Sequence, residues 1–335
     1  MEYIKELLSL SDRPAFCVEN GSVIAANEAA QALQIRPADP LESLLGSDRE
    51  SLSGFSQGFL CLSLSVFDQQ VPATVTALGD RLIFTLEPEE LREELRLLGL
   101  ASQELREPLS DVMALVKDLN ADPAQMAQIN RGLHRMLRLI GNMTPHPTPR
   151  MELVNVSALL EEFQEKAQIA CEGKGIQFRF ISSPKAVLSC VDEELLKRAI
   201  YNLLSNAMKF SRGGTIVLCL KQSSRSYQIS LHDSSSLLPD QTQDPFARFL
   251  RQPGLGDPSW GMGLGMRLVR DAAIAHGGTV LMDTPPEGGV RVTLNLPLRQ
   301  KMSGLHSPRL QISYTGERDP MLVELSDVLP PEFYL

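Results

Sequence analysis

The sequence predicts a multi-domain α+β protein, in which a small α+β domain, a helical hairpin and an α/β sandwich follow one another. Three observations predict this class: short strands around turn signals, then apolar residues at heptad spacing, then helices alternating with strands. The expected divisions are an N-terminal helix at 1–12, the α+β domain at 13–88, the helical hairpin at 89–144, the sandwich at 145–298, and a C-terminal extension of unknown role at 299–335.

Length and composition indicate a globular protein and argue against several functional classes. The 335 residues suffice for two or three domains, and 43% hydrophobic with 22% charged residues is ordinary. A formal net charge of −9 argues against binding nucleic acid through bulk charge. The sequence has no apolar run of about 18 residues that would predict a membrane span, and it does not begin like a signal peptide.

Cysteines and histidines give no sign of a metal site. There are five of each, scattered along the chain and without CxxC spacing. Buried thiols in a reducing compartment are therefore expected, and a zinc site is not. Together with the absence of a predicted span, this indicates a cytoplasmic protein.

Residues 13–88 combine hairpin strands with a short helix. The strands PAFCVE and SVIAA flank the turn signal Asn20-Gly21, and Asn27 begins the helical run NEAAQAL. CLSLSVF alternates with period two, and Gly79-Asp80 separates ATVTAL from RLIFTLE. This order of elements, with the segment IAANEAA, resembles a PAS sensor domain. Some other small α+β domain is the alternative.

Two apolar seams at heptad spacing follow. The first comprises Leu91, Leu95, Leu98, Ser102, Leu105, Leu109, Val112, Val116 and Leu119, and the second Met126, Ile129, Leu133, Met136, Ile140 and Met143. Asp122 is expected to cap the second helix with Pro123 at its first position, while Pro108 should kink the first helix. Two antiparallel helices cannot bury such seams alone, so a dimeric four-helix bundle is predicted.

The segment SQELREPL, residues 102–109, resembles the phosphoacceptor motif of sensor histidine kinases, commonly SHELRTPL. Gln103 stands where that family has its histidine, with Glu104 beside it, and Glu107 replaces a Thr or Asn that supports dephosphorylation of the partner. The lone pair of an amide nitrogen is delocalised into its carbonyl and cannot attack a γ-phosphoryl group. The resemblance therefore implies no autophosphorylation at position 103. The seam places Gln103 off the buried stripe, and His134 on the second helix is expected to face solvent.

Residues 145–298 open with the proline-rich linker PHPTPR and continue with alternating helices and strands. Ser157 is expected to cap the first helix, and Asp192 to cap the long helix EELLKRAIYNLLSNAMKFS. Within that helix, YNLLSNAMKFS is similar to the N box NLLxNAxKFS of GHKL-type ATP-binding domains. The whole region resembles the GHKL domain of histidine kinases.

The N box implies a Mg·ATP site on one helix face. Asn202 and Asn206 are four residues apart, so both amides project to the same side. By resemblance, Asn206 coordinates the Mg²⁺ that bridges the ATP phosphates, and Asn202 supports it. Amide oxygens suit this hard cation. Lys209 would meet phosphate as a point charge, and Phe210 would line the adenine pocket.

Two further motifs complete the resemblance, one with departures. HDSSSLLPD keeps Asp233, which in the family accepts a hydrogen bond from the adenine amino group, but it lacks the glycines of the family's DxGxG. Side chains at those places could narrow the pocket. GMGLGM is similar to the GxGLGL loop, whose backbone N–H groups reach phosphate oxygens at a helix start; its glycines are Gly261, Gly263 and Gly265.

The lid and the last strand are less distinctive. DPFARFLR resembles the F box, in which Phe246 and Phe249 would anchor a loop over the nucleotide; two core phenylalanines on a short helix are the equal alternative. GGVRVTLNLPL resembles the family's last strand, with Val290 in place of a threonine. Residues 299–335 match no motif, and could add a strand or helix to the ATP-binding domain or dock a partner.

The expected function is signal transduction of the histidine-kinase type, by a chain that binds Mg·ATP without autophosphorylating at Gln103. A non-catalytic dimeric scaffold with a dead nucleotide pocket is the first alternative. A kinase or ATPase acting on a histidine of another protein is the second, so enzymatic activity stays open. Expected partners are a second copy or an intact histidine kinase, and a response regulator. The sequence identifies neither the sensed signal nor the particular regulator.

Overall fold

The computed structural model describes most of the chain. The described residues are 2–45, 49–117, 119, 121–144, 148–183, 186–211, 213–238, 244–246, 264–300 and 318–335.

The N-terminal part packs short helices on an antiparallel sheet. Its elements are α1 (Glu2–Ser9), β1 (Ala15–Glu19), β2 (Ser22–Ala26), α2 (Glu28–Ala32), α3 (Arg49–Leu52), β3 (Phe59–Val66), β4 (Gln69–Leu78) and β5 (Arg81–Leu86). Asn20 and Gly21 adopt φ angles of 52° and 76°, which confirms the predicted hairpin turn. The helix α2 begins directly after Asn27, as predicted, and Asn27 caps it by accepting from the Ala30 N–H at 2.9 Å.

The helical hairpin consists of α4 (Glu89–Glu104), α5 (Arg106–Lys117) and α6 (Pro123–Met143). The first predicted helix is interrupted at Leu105, three residues before Pro108, because proline has no N–H to donate to the carbonyl one turn earlier. Asp122 caps α6 by accepting from the Ala124 and Gln125 N–H groups, as predicted.

The first seam is divided between a buried and an exposed half. Ser102, Leu109 and Val116, seven residues apart, are only 2–8% exposed and face α6. Leu98, Leu105, Val112 and Leu119, also seven apart, are 39–55% exposed. On α6, Ile129 and Met136 repeat this exposed pattern. Pairing of the helices within one chain therefore covers half of the seam.

The C-terminal part is an α/β arrangement, as predicted. Its elements are β6 (Glu152–Asn155), α7 (Val156–Glu172), β7 (Gln177–Ser182), β8 (Leu188–Val191), α8 (Glu193–Phe210), β9 (Thr215–Gln222), β10 (Ser226–Asp233), α9 (Gly265–Ala275), β11 (Thr279–Asp283), β12 (Val290–Pro297) and α10 (Pro320–Glu324). The expectation for Ser157 was wrong: Asn155 caps α7, and the Ser157 hydroxyl accepts from the Val187 N–H instead. The strand β6, which pairs with β8, lay outside the prediction.

One continuous sheet links the two ends of the chain. Among the described residues, ten strands run in the order β2-β1-β5-β4-β3-β11-β12-β10-β9-β7. The junction is the antiparallel pair β3–β11, where Cys61 lies opposite Val280. A Cβ at Gly58 would lie 2.1 Å from the Met282 carbonyl oxygen, so the close approach here requires glycine. The sequence analysis treated the two sheets as separate.

The C-terminal extension adds a docked segment. Its helix α10 and the 3-10 turn Pro331–Tyr334 pack against α6, and α10 also contacts α8. Val323 belongs to the hydrophobic cluster of the helical hairpin, whereas Met321, Leu325 and Leu329 belong to the core of the α/β part. The extension thus bridges two hydrophobic cores.

Candidate functional site

The long helix α8 presents the predicted polar residues. Asp192 caps it by accepting from the Leu195 N–H at 2.9 Å, as predicted, and its buried face packs into the core. Arg198, Asn202 and Lys209 share its face toward α6 and α10, where Arg198 and Asn202 are buried. The placement of Asn202 and Lys209 on one side follows from their helical spacing.

Asn202 is held at both ends of its amide. Its Oδ1 accepts from Arg138 Nη2 at 3.1 Å, and its Nδ2 donates to Glu324 Oε2 at 3.1 Å and to the Arg198 carbonyl at 3.0 Å. Arg138 lies on α6 and Glu324 on α10. The side chain is fully buried. Parts of the chain far from α8 in sequence therefore fix this amide.

Lys209 is paired with an acidic residue of the extension. Its Nζ lies 2.8 Å from Asp327 Oδ2, which Arg138 Nη1 also approaches at 2.8 Å. Burial, and next the nearby Arg138 charge, lower the pKa of Lys209 to about 8 against the attraction of Asp327. Burial alone would raise the pKa of Asp327, but Arg138 and Lys209 lower it overall.

Asn206 and Phe210 are more accessible than Asn202. Asn206 is half-buried, one turn after Asn202, and Phe210 is exposed. Gly265, at the start of α9, faces this helix: a Cβ there would lie 2.9 Å from Asn202 Oδ1 and 3.8 Å from Asn206 Nδ2. The structure therefore brings Gly265 together with both asparagines. Gly261 and Gly263 lie outside the described residues.

Asp233 lies at the end of β10, buried, and is engaged by its own neighbours. Its Oδ1 accepts from the Ser235 N–H at 3.1 Å and from the Ser235 hydroxyl at 3.0 Å, and its Oδ2 accepts from the Ser236 hydroxyl. Ser235 stands at a place where the resembled motif has glycine. The substituting side chain thus binds the carboxylate that was expected to bind adenine.

Phe246 is fully buried in the core of the α/β part, which favours the core alternative for this residue. Phe249 lies outside the described residues. Two residues before Phe246, the Asp244 carboxylate accepts from the Thr74 hydroxyl at 3.0 Å and lies 3.5 Å from Arg13. The N-terminal sheet therefore contacts the first residue of the predicted lid segment.

The phosphoacceptor-like segment lies at the break between α4 and α5. Gln103, Glu104 and Glu107 are all exposed, as expected for Gln103. His134 contradicts its expectation of facing solvent: it packs edge-on to Tyr334 at 5.1 Å between ring centroids, and its Nδ1 lies 2.7 Å from the Asn130 carbonyl. Burial lowers its pKa, which keeps the imidazole neutral at lower pH.

The polar network around α8 is completed by three residues that were not predicted from the sequence, Arg138, Glu324 and Asp327. The two carboxylates lie within the apolar run MLVELSDVL, and buried acidic residues in such a run need cationic partners. That pattern could have indicated a paired site, although it does not identify the partners. In the described part of the chain, no cluster of three or more His, Cys, Asp or Glu side chains could hold a metal ion, so Asn206 has no such cluster beside it.

The cysteines and helices agree with the compositional expectations. All five thiols are free, and four of them are buried. Across the described helices, none combines the length and apolar character that a membrane crossing requires.

The α/β part corresponds to a known class of ATPase domain. Residues 191–300 match the family described as "Histidine kinase-, DNA gyrase B-, and HSP90-like ATPase". They begin one residue before the cap of α8 and run past β12, so they include the N box, Asp233 and the glycine loop. The match therefore falls on the stretch that resembles a GHKL-type ATPase domain in its sequence motifs.

Individual relatives extend the similarity beyond that domain. The hybrid signal transduction histidine kinase D of Dictyostelium discoideum is 28% identical over 225 residues, covering 60% of this chain and 14% of that protein. The adaptive-response sensory kinase SasA of Synechococcus sp. (strain CC9902) is 24% identical over 225 residues, covering 63% of this chain and 59% of that protein. The chain thus spans no more than 59% of either relative.

A solved structure shares the fold. The crystal structure of full-length ShkA in complex with AMPPNP superposes with a TM-score of 0.51 at 20% identity, covering 62% of this chain and 46% of that one. The likeness in fold therefore extends beyond the 110 residues that match the ATPase family.

Proposed function

We propose that the chain is a histidine-kinase-type signal transduction protein that binds Mg·ATP and cannot autophosphorylate at Gln103. The observation that carries the proposal is the N box: Asn202, Asn206 and Gly265 converge within a GHKL-type ATPase domain. Asn206 is the proposed Mg²⁺ ligand, Lys209 meets phosphate, and Asp233 and Phe210 form the adenine side. Gly261 and Gly263 are proposed to complete the phosphate loop.

The missing nucleophile limits what this site does. Gln103 is exposed where the helix breaks, so it has the accessibility that an acceptor needs and lacks the acceptor atom. This arrangement supports the proposal that the protein transmits a signal by changing conformation when nucleotide binds. The PAS-like domain is the proposed sensor, and the cytoplasm is the proposed location. A response regulator is a proposed partner, since the relatives are sensory and signal transduction kinases.

One experiment tests the catalytic part. Purified wild type and Gln103→His are incubated with Mg·ATP labelled on the γ-phosphate, and acid-stable and acid-labile protein label is counted. Label gained only by Gln103→His is the expected result, since it shows a competent ATP site without an acceptor. Label on wild type would contradict the proposed loss, and Asn206→Ala should abolish label in the histidine variant.

A second candidate function is a non-catalytic scaffold, and Asp233 favours it. Both of its oxygens already accept hydrogen bonds from Ser235 and Ser236, so adenine competes with serine hydroxyls for this carboxylate. Each displaced hydrogen bond weakens binding by roughly 1 kcal/mol. Absence of Mg·ATP binding in both wild type and Gln103→His would select the scaffold.

We also propose that the helical hairpin dimerises through its exposed half-seam. Leu98, Leu105 and Val112 on one side and Ile129 and Met136 on the other form apolar stripes at seven-residue spacing. A second copy presents the same stripes, so a symmetric four-helix bundle covers both. An intact histidine kinase could take the place of the second copy in a heterodimer.

The proposed dimer is tested by measuring the molecular mass of the protein in solution. Val112→Glu places a charge in the stripe and should convert the dimer to monomer in analytical ultracentrifugation. Leu100→Glu, an exposed residue of α4 outside the stripe, is the matched control and should remain dimeric. A monomeric wild type would refute homodimerisation, after which mixing with candidate kinases tests the heterodimer.

A further inference from the structure

The acidic C-terminal segment occupies the cationic side of the ATPase domain. We propose that residues 318–335 act as an intramolecular ligand that competes with the nucleotide phosphates for Lys209, Asn202 and Arg138. This inference rests on the proposed function, because it adds a regulator to the same site. It assigns a role to the extension and gives α6 a direct contact with the N box.

The charges around this segment favour an anionic ligand. Glu324 and Asp327 contact four cationic side chains, which are Arg135, Arg138, Arg198 and Lys209. Two carboxylates therefore meet twice their number of cations, in a protein whose formal net charge is −9. Arginine and lysine bind carboxylate and phosphate oxygens by the same charge-assisted hydrogen bonds. A phosphate chain is thus the kind of ligand that could replace these carboxylates.

The contacts with Asn202 and Lys209 make the competition direct. Asp327 Oδ2 takes the Lys209 ammonium at 2.8 Å, the group that the N box resemblance assigns to phosphate. The Asn202 side-chain NH₂ donates to Glu324, and the Asn202 side-chain oxygen accepts from Arg138. A nucleotide that uses Lys209 must therefore displace Asp327 or share the ammonium with it.

Apolar contacts hold the segment in place between two bodies. Val323 packs with Leu133 and Leu137 in the helical-hairpin cluster, whereas Leu325 and Leu329 pack in the ATPase-domain core. Arg131 of α6 donates to the Ser326 and Asp327 carbonyls. The segment therefore ties α6 to α8, and its release by nucleotide would remove these links between the hairpin and the ATPase domain and leave the direct contacts of Arg138 with α8.

The test compares two full-length variants that differ only in which carboxylate of the segment loses its charge. Asp327→Asn removes the charge that faces Lys209 and Arg138. Asp319→Asn is the matched control, because Asp319 pairs with Lys166 and caps α10, and asparagine also caps helices well. Affinities for Mg·ATP and for Mg·triphosphate are measured by calorimetry, after thermal unfolding has shown that each variant is folded.

The competition predicts that Asp327→Asn binds both probes about tenfold more tightly than wild type, within the range of intramolecular coupling, while Asp319→Asn does not. Equal affinity of all three proteins overturns the competition and leaves the proposed nucleotide site standing. Binding of triphosphate without ATP keeps the competition and rejects the adenine side. Absence of binding to either probe in every protein overturns both proposals.

Hydrogen exchange gives a second, independent measurement. Saturating Mg·ATP should speed amide exchange in 320–329 of the wild type, and Asp327→Asn should speed it there without nucleotide. Unchanged protection of this segment when the nucleotide is bound would show that both ligands fit together, which also overturns the competition.

Discussion

The proposed phosphate side and the proposed adenine side of the candidate site are held by contacts of very different range. On the phosphate side, Asn202 and Lys209 are bound by Arg138, Glu324 and Asp327, which lie 64 or more residues away along the chain. On the adenine side, Asp233 is bound by serines two and three residues away. On both proposed sides, protein side chains occupy hydrogen-bonding groups that a nucleotide would use. Only at Asp233 do those side chains come from neighbouring residues in the sequence.

This difference in range indicates how each proposed side could become accessible to a nucleotide. The two hydroxyl hydrogen bonds to Asp233 break by rotation of serine side chains, which needs no backbone movement. On the proposed phosphate side, displacement of Asp327 requires movement of a docked segment with buried apolar residues, so this side is suited to regulation. Under the proposed function, the local arrangement tunes nucleotide affinity, and the long-range one couples that affinity to the position of α6.

The largest expected effect is the loss of stability on substitution of Glu324. This substitution tests whether long-range contacts hold the proposed phosphate side. Glu324→Ala leaves Arg198 and part of the charge of Arg138 buried without their carboxylate, and breaking such a pair costs about 3–5 kcal/mol of unfolding free energy. Urea denaturation followed by circular dichroism measures it. Glu332→Ala, an exposed acid on the same segment, should change stability little. Equal losses in the two variants would remove the distinction between the two sides.

Most of the local structure could be predicted from the sequence because short-range rules determine it. The Asn20-Gly21 turn, the caps Asn27, Asp122 and Asp192, and the N box helix all follow from short-range backbone chemistry. The predicted cap of α7 was wrong because Asn155 and Ser157 are both good capping residues. The Ser157 hydroxyl instead accepts a hydrogen bond from the Val187 N–H.

Long-range features could not be predicted in the same way. The β3–β11 pairing joins strands more than two hundred residues apart, and edge strands carry no sequence signal for a particular partner. His134 was expected to face solvent because the extension that covers it, through Tyr334, had no assigned position. In the candidate site, Arg138, Glu324 and Asp327 were not predicted for the same reason: their contacts join residues far apart in the sequence.

The next effect concerns Gly265, where the glycine loop meets the N box. Gly265→Ala brings a Cβ to 2.9 Å from Asn202 Oδ1, so the amide or the start of α9 must shift, at a cost of about 1–3 kcal/mol. Gly132→Ala on α6 is the matched control, because nothing lies within 4 Å of its Cβ and alanine favours helix. Urea midpoints should fall for the first variant and stay or rise for the second. A stable Gly265→Ala would show that the glycine is not needed for this contact.

The smallest effect is expected on the adenine side. Ser235→Gly removes one hydroxyl from Asp233 and restores a glycine of the resembled motif, so ATP should bind about fivefold more tightly, the equivalent of roughly 1 kcal/mol. Ser223→Gly, in an exposed turn where Ser223 contacts Ser226, is the control and should not change affinity. Because Asp233 is proposed to face adenine alone, Mg·triphosphate affinity should be the same in Ser235→Gly and wild type. An equal gain for triphosphate would mean that the serine acts on the phosphate side, and the division between a local and a long-range half of the site would then be wrong.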